Sequence, residues 1–248
     1  MALIEELEDQ GNVLFRYRSY IPLVFLGTGL GLYIYKINNM TYPELGFNYW
    51  LISLFVGFVG LAVRVYAVGH TPKNTSGRNT ADGQIADELN QTGIYSLVRH
   101  PLYLGNFLMW LAVGMLTADF WYIVAFTLAY WVYYERIMFA EEAFLRKKFG
   151  ETYLKWAADK PAFIPKFKAP IKPKYPFSIK KILKKEKNGV AALFLLFYVF
   201  EIVGEYVRWG SFAFKPTFWF WGFAISTVVY LILKIIKKYT SVLDEEGR

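Results

Sequence analysis

Six apolar runs limit the folds that this sequence can adopt. They cover residues 20–35, 49–68, 102–117, 119–134, 190–208 and 217–236. Runs of this kind are typical of membrane-spanning helices, because about 20 apolar residues are needed to cross the hydrocarbon core of a bilayer. The chain of 248 residues is 55% hydrophobic, with a mean hydropathy of +0.26. We therefore predict an all-α integral membrane protein with about six transmembrane helices.

The third and fourth runs are short, and almost nothing separates them. Only Thr117, Ala118 and Asp119 lie at their junction, so we predict a tight antiparallel helical hairpin. Small residues in the first two runs let neighbouring helices approach closely. These residues are Gly27, Gly29, Gly31, Gly57 and Gly60.

The distribution of positive charge predicts an orientation. If the N-terminus is cytoplasmic, only Lys36, Arg208 and Lys215 lie on the outer side. Because cytoplasmic loops carry the excess of Lys and Arg, we predict that both termini are cytoplasmic. The net charge of +8 then reflects membrane topology, and without a soluble basic domain we exclude nucleic-acid binding.

The first 19 residues lack the apolar core of a cleaved signal, so we expect the first span to be an uncleaved anchor.

Composition also excludes several kinds of site. The chain has no cysteine, which excludes disulfides, zinc–thiolate centres and cysteine nucleophiles. The chain has only two histidines, His70 and His100, which argues against a metal centre with several histidine ligands, and we predict no metal site.

The motif G-I-Y-S-L-V-R-H-P-L-Y-L-G at residues 93–105 opens the third run. Pro101 suits the first turn of a helix, because backbone N–H groups there have no acceptor within the helix and proline lacks this group. The N–H groups that follow, at the positive end of the helix dipole, can bind a carboxylate or phosphate. Arg99 and His100 precede them, so the motif indicates an anion site at the membrane boundary. The alternative is an interfacial anchor of Arg, Tyr and Pro.

Two further segments on the predicted cytoplasmic side are candidates for chemistry. Residues 70–80 read H-T-P-K-N-T-S-G-R-N-T, a set of cations and amides that suits a phosphate or polar head group, although an ordinary polar connector is equally compatible. Residues 134–150 predict an amphipathic helix that continues the fourth run and ends at Gly150. Glu141 and Glu142 lie on it, either as site residues or as a solvated acidic face. The basic stretch 166–187 is expected to lie along the anionic inner leaflet.

Taken in order, these motifs resemble the isoprenylcysteine carboxyl methyltransferase and phospholipid methyltransferase superfamily. The resemblance covers about residues 64–167: Arg-His-Pro-x-Tyr-x-Gly at the head of a short hairpin, then Glu-Glu followed by Phe-Gly-x-x-Tyr. Residues 70–80 resemble the bacterial branch assigned to lipid A 1-phosphate methylation. The resemblance implies a cytoplasmic pocket for S-adenosylmethionine, with S-adenosylhomocysteine as product.

The resemblance also implies roles for individual residues. Cofactor contacts would come from the motif and the acidic pair, with Glu141 the best match, and from the loop upstream: Tyr95, His100, Pro101, Leu102, Tyr103, Glu141, Glu142, Asp87, Leu89 and Asn90. Substrate contacts would be His70, Lys73, Asn74, Arg78, Asn79 and Arg136. Catalytic residues would be Arg78, Arg99, Arg136 and His100, although Arg136 lies next to the position of the arginine in relatives rather than on it.

The implied function is methyl transfer to an anionic oxygen of a membrane lipid, with the 1-phosphate of lipid A in the bacterial inner membrane as the first choice. Carboxyl methylation of an isoprenylcysteine follows the same logic. Amine methylation of phosphatidylethanolamine is a further alternative and needs a base, for which Glu142 or His100 would have to serve. A transporter or scaffold without chemistry is the non-enzymatic alternative. We divide the chain into residues 1–69, a catalytic region 70–168, and a basic linker with two last helices, 169–248.

Overall fold

The computed structural model describes residues 2–75, 78–80, 83–212 and 214–247. Eight α-helices form this described part, and their bounds are α1 Leu3–Arg16, α2 Ile21–Asn38, α3 Phe47–Gly69, α4 Pro101–Met115, α5 Phe120–Phe149, α6 Glu151–Ala157, α7 Ile179–Trp209 and α8 Phe218–Tyr239. A short antiparallel hairpin of β1 Arg78–Thr80 and β2 Gly83–Ile85 precedes a 3₁₀ turn at Ile94–Ser96. The prediction of an all-α fold is confirmed apart from this hairpin.

Four helices in the described part are long and apolar enough to cross a membrane: α2, α3, α7 and α8. Helix α4 is apolar but has only 15 residues, and α5 has 30 residues, of which the second half carries the charges. Each of the six predicted runs therefore lies in a helix, but two of them differ from ordinary spans. Helix α7 begins at Ile179 rather than at residue 190, because Ser178 caps it and the intervening lysines are good helix formers.

Close backbone approach fixes α3 against α4. A Cβ atom at Gly60 would lie 2.5 Å from the carbonyl oxygen of Gly105, so neither position tolerates a side chain without a shift. Gly57 and Gly29 are also at helix contacts, but nothing lies within 4 Å of a Cβ atom at Gly27 or Gly31. The predicted small faces are therefore confirmed for α3 and only in part for α2.

The predicted hairpin between α4 and α5 is present. The Asp119 carboxylate caps α5 by accepting a hydrogen bond from the N–H of Tyr122 at 2.8 Å. Lys36 of α2 lies 3.2 Å from the same carboxylate and donates to the carbonyl of Ala118 at 2.8 Å. The turn is thereby held to α2 at the end of the bundle away from the cavity described below.

Helix α1 was missed by the sequence interpretation. It packs along the second half of α5, where a Cβ atom at Gly11 would lie 2.2 Å from the carbonyl oxygen of Arg136. Phe15 of α1 is buried against α5. The amphipathic pattern of residues 3–16 was the available signal, because apolar and charged positions alternate there with helical spacing.

The segment after α6 folds back onto the motif. The N–H groups of Arg99 and His100 donate to the carbonyls of Pro161 and Ala162 at 3.0 and 3.1 Å. The N–H of Gly93 donates to the carbonyl of Ile171 at 2.9 Å. The beginning of the basic stretch therefore packs on the motif loop, and its end forms the first turns of α7.

Candidate functional site

A cavity of about 570 Å³ lies at one end of the helix bundle. It is formed where α3 ends, α4 and α7 begin, and α8 ends, with walls from the loop before α4 and from the second half of α5. The two predicted chemistry-bearing segments thus meet in one cavity. Its lining mixes aromatic rings, carboxylates and cations.

A hydrogen-bonded group of four residues joins the motif to the acidic pair. The hydroxyl of Tyr103 donates to Oε2 of Glu141 at 2.9 Å. Nδ1 of His100 lies 3.4 Å from the same oxygen, and its Nε2 lies 2.9 Å from Oε1 of Glu142. The imidazole therefore lies between two consecutive carboxylates of α5. Its ring stacks on that of Tyr103 with 5.6 Å between centroids.

The charges of this group support one another. Burial disfavours the imidazolium, but hydrogen bonds and charge from Glu141 and Glu142 outweigh it and raise the pKa of His100 to about 9. Burial likewise opposes ionisation of Glu142, but His100 and Arg99 together lower the pKa of its carboxyl below the usual 4.5. At neutral pH, His100 is therefore a cation held between carboxylates.

The two cations of the anion site predicted before α4 contact carboxylates of α5. Arg99 lies with its Nε 3.1 Å from Oε1 of Glu142, and His100 is bound to both carboxylates. The N–H groups of Tyr103 and Leu104 donate to the carbonyl of His100. Both cations of the motif are thus paired with the acidic residues of α5.

Aromatic side chains form one wall of the cavity, among them Tyr95, Tyr103, Tyr153 and Trp156. Burial, and then the charge of Glu141, raises the pKa of the Tyr95 phenol, which stays neutral. The indole N–H of Trp156 is buried and has no acceptor among the described residues. A carboxylate beside aromatic faces, with a donor left over, fits a ligand that carries both a cation and a heteroaromatic ring.

A second group at the cavity contains charges that sequence reasoning missed. The guanidinium of Arg64 binds both carboxylate oxygens of Glu186, at 2.7 and 2.9 Å, and also contacts Asn106. Glu186 is 3% exposed. Lys181, also buried, donates to the carbonyl of Pro72 at 2.9 Å. An arginine within an apolar span was the available signal, because such a charge needs a partner.

Most of the residues predicted for the site line this cavity. They are Lys73, Asn74, Leu89, Asn90, Tyr95, Arg99, His100, Pro101, Leu102, Tyr103 and Glu141. Glu142 contacts the cavity residues through His100 and Arg99. The side chains of Arg78 and Asn79 lie outside the described part of the structure, which gives only their backbone in β1.

Three predicted residues are placed elsewhere. Nδ1 of His70 lies 2.9 Å from the carbonyl of Tyr175, and Asp87 is exposed beside the cavity. Nε of Arg136 donates to the side chain of Gln10 at 3.0 Å, so this arginine faces α1. Arg136 and Glu141 are five positions apart, which turns the two side chains about 140° apart around α5.

Comparisons with known proteins agree on the central part of the chain. The model of the family described as phospholipid methyltransferase matches residues 47–152. A protein-S-isoprenylcysteine O-methyltransferase of Schizosaccharomyces pombe is 37% identical over 73 residues, which are 29% of this chain and 31% of that protein. A protein of Oryza sativa subsp. indica named "Probable protein-S-isoprenylcysteine O-methyltransferase" is 35% identical over 124 residues, 48% of this chain and 63% of that protein.

A relative with another kind of name is also similar to this chain. The nickel-cobalt-cadmium resistance protein NccN of Alcaligenes xylosoxydans xylosoxydans is 33% identical over 84 residues, 34% of this chain and 39% of that protein. No solved structure matches the chain. The matched segments span from about a third to under two thirds of the lengths of the first two relatives.

Proposed function

Because residues 47–152 belong to the phospholipid methyltransferase family, we propose that this protein is a membrane methyltransferase that uses S-adenosylmethionine. The observation that carries the proposal is the hydrogen bond from Tyr103 to Glu141 at the wall of the cavity, 2.9 Å long. It brings the motif before α4 and the acidic pair of α5 into one site. S-adenosylhomocysteine is the expected product.

The residues at this end of the cavity suit the methyl donor. When bound, S-adenosylmethionine supplies a methyl group on a positively charged sulfur. The carboxylate of Glu141 and the ring faces of Tyr95 and Tyr103 stabilise such a cation. Leu89, Asn90 and Trp156 line the same cavity and would hold the rest of the molecule. Pro101 and Leu102 keep the first turn of α4 in place behind Tyr103.

The state of His100 favours an acceptor that is already anionic. A neutral amine must lose a proton before or during methylation, whereas a phosphate or carboxylate oxygen need not. His100 keeps its proton up to a pH of about 9, and Glu142 is a weak base because its pKa is lowered. The site residues therefore align and desolvate two reactants, which provides most of the catalysis for an in-line transfer. This argues against phosphatidylethanolamine as the acceptor.

For the acceptor we propose a phosphate of a membrane lipid, with the 1-phosphate of lipid A as first choice, in the bacterial inner membrane with both termini cytoplasmic. The cation Lys73 and the amide donor Asn74 on the cavity wall support a phosphate, as does the donor-rich sequence of residues 70–80. The carboxylate of an isoprenylcysteine is the second candidate. It is favoured by the names of the relatives in Schizosaccharomyces pombe and Oryza sativa.

The deciding experiment incubates membranes that contain the protein with methyl-labelled S-adenosylmethionine and analyses the products by mass spectrometry. A mass gain of one CH₂ on the phosphate of lipid A supports the first choice. The same gain on prenylated protein replaces it with the second candidate, and a gain on phosphatidylethanolamine overturns the argument from His100. Membranes with Glu141→Ala protein serve as the control and should give no labelled product.

A further inference from the structure

Five lysines of α7 and α8 form a group at the same end of the bundle, which we call the lysine cluster: Lys184, Lys185, Lys187, Lys234 and Lys237. They lie on the first turns of α7 and the last turns of α8. All of them follow the family match, which ends at residue 152. The methyltransferase motifs therefore do not account for the lysine cluster.

Three members of the lysine cluster line the cavity that also contains Tyr103 and Glu141. These are Lys184, Lys185 and Lys237, and Lys73 lines the same space from the loop after α3. The cavity lining therefore combines two kinds of group. Aromatic rings and the carboxylate of Glu141 come from α4, α5 and the loop before α4, and ammonium groups come from α7 and α8.

The lysines of the cluster repel one another. Lys187 is only 8% exposed, and the charges of Lys184, Lys185, Lys234 and Lys237 all act on its ammonium group. Its Nζ donates to the carbonyl of Lys184 at 2.7 Å. Such a concentration of like charge around a buried ammonium destabilises the folded protein unless an anion offsets it.

The helix dipole adds to this positive potential. Helix α7 has no acidic residue in its first turn, although carboxylates are favoured at the positive end of a helix. Of the carboxylates at the cavity, Glu245 accepts a hydrogen bond from Ser178, the cap of α7, and Glu88 accepts one from Lys174. Glu186 binds Arg64, and Glu141 binds Tyr103. Lys184 is paired with Asp244. Because the side chain of Asp244 is 62% exposed, water weakens this ion pair.

We propose that the lysine cluster binds the phosphate of a lipid head group and so selects phosphorylated lipids as acceptors. The inference rests on the proposed function and deepens it by assigning the head-group site to α7 and α8. A phosphate monoester carries up to two negative charges and several acceptor oxygens, which matches multiple ammonium donors better than a single carboxylate does. Lys185 and Lys237 are exposed enough to contact the ligand, while buried Lys187 raises the positive potential behind them.

Charge-removal variants on the two helices provide a matched test. Lys185→Ala with Lys237→Ala removes two cations that line the cavity. Lys180→Ala with Lys238→Ala removes two exposed lysines from the same two helices, neither of which lines the cavity. The two double variants change net charge equally. Lys185→Arg with Lys237→Arg keeps the charge and checks that the effect is electrostatic.

The measurement uses the full chain in nanodiscs of phosphatidylcholine and titrates short-chain phosphatidic acid, a phosphate-monoester lipid, with S-adenosylhomocysteine binding recorded in parallel. We expect the cavity pair to weaken lipid binding at least about tenfold and the control pair to change it less than about twofold. The arginine pair should bind like the unaltered protein. Affinity for S-adenosylhomocysteine should be the same in all variants.

Several outcomes overturn the inference. Equal weakening by both double variants indicates general attraction to an anionic surface. Inorganic phosphate that binds as tightly as phosphatidic acid indicates a site for a soluble anion instead of a lipid. Unchanged lipid binding in the cavity pair removes the lysine cluster from recognition. If the unaltered protein fails to bind S-adenosylhomocysteine, the proposed function itself fails, and that result is separate from the lipid titration.

Discussion

The hydroxyl of Tyr103 donates a hydrogen bond to Oε2 of Glu141 over 2.9 Å, and these residues are 38 positions apart in the sequence. One lies in the first turn of α4 and the other in the second half of α5. The contact closes the helical hairpin at the end where the cavity lies. It orients the carboxylate that we propose for the cation of the methyl donor.

Tyr103→Phe keeps the ring and removes this hydrogen bond. We expect binding of S-adenosylhomocysteine to weaken by about 10- to 150-fold, since a hydrogen bond to a charged group is worth roughly 1.5–3 kcal/mol. Isothermal titration calorimetry of the purified protein measures the change. Tyr49→Phe is the matched control, because it also removes one tyrosine hydrogen bond, to the carbonyl of Met115 at the other end of α4. Equal losses in both variants would contradict the assignment.

The pH dependence of stability tests the charge state of His100. Its pKa is raised from the usual 6.5 to about 9, so its protonation stabilises the folded protein fully below pH 6.5, and the contribution is lost as the pH rises through 9. We expect His100→Gln to lower the unfolding temperature most near pH 6 and hardly at all above pH 9. Thermal unfolding in detergent across this range measures the difference. A constant difference at all pH values would show that the imidazolium is not involved.

The carboxylate of Glu142 has the opposite dependence. Its pKa lies below the usual 4.5, so its contribution is present above that value and is lost as the pH falls through the lowered pKa. Glu142→Gln should therefore destabilise the protein at neutral pH and lose its effect in acid. The same unfolding measurement, extended to low pH, checks this. A larger destabilisation by Glu142→Gln in acid than at neutral pH would contradict this prediction.

Removing one partner of the buried ion pair should be more harmful than removing both. Glu186→Ala leaves the guanidinium of Arg64 without its carboxylate, which we expect to cost about 3 kcal/mol of unfolding free energy. Arg64→Met with Glu186→Leu should recover most of that loss. Glu205→Ala is the control, because its pair with Lys215 is exposed and worth less than about 1 kcal/mol. Similar losses in Glu186→Ala and Glu205→Ala would contradict the burial argument.

Substitution of Arg136 distinguishes a structural role of this residue from a role in binding the substrate. Because its guanidinium binds Gln10 of α1, we expect Arg136→Ala to lower the unfolding temperature and leave affinity for S-adenosylhomocysteine unchanged. Gln10→Ala should lower it to a similar extent. Loss of methyl transfer without any loss of stability would instead return Arg136 to the acceptor site.

The sequence predicted the helices well, because apolar runs and their interruptions depend on local pattern. It also predicted that Tyr103 and Glu141 belong to one site. The resemblance supplied this, since no spacing rule brings residues of two helices together. The partners of Arg64 and the direction of Arg136 were not predictable in this way. Both depend on how α1 and α7 pack, and such contacts between distant segments leave no periodic signal.

The start of α7 was also not predictable from the local sequence pattern. The sequence predicts that residues 166–187 form a basic linker along the inner leaflet, because the stretch is rich in lysine and proline. The cap at Ser178 and the contacts of Lys181 with residues 71 and 72 instead make it a helix that borders the cavity. Tertiary packing decided the conformation.

The central claim is that S-adenosylmethionine binds against Tyr103 and Glu141. Ultraviolet crosslinking of methyl-labelled S-adenosylmethionine to the purified protein, followed by peptide mass spectrometry, tests it most directly. We predict label on the peptide that spans residues 93–105, which contains Tyr95 and Tyr103, and its loss in the presence of excess S-adenosylhomocysteine. Label only on peptides that do not line the cavity, or no competition by S-adenosylhomocysteine, would contradict the account.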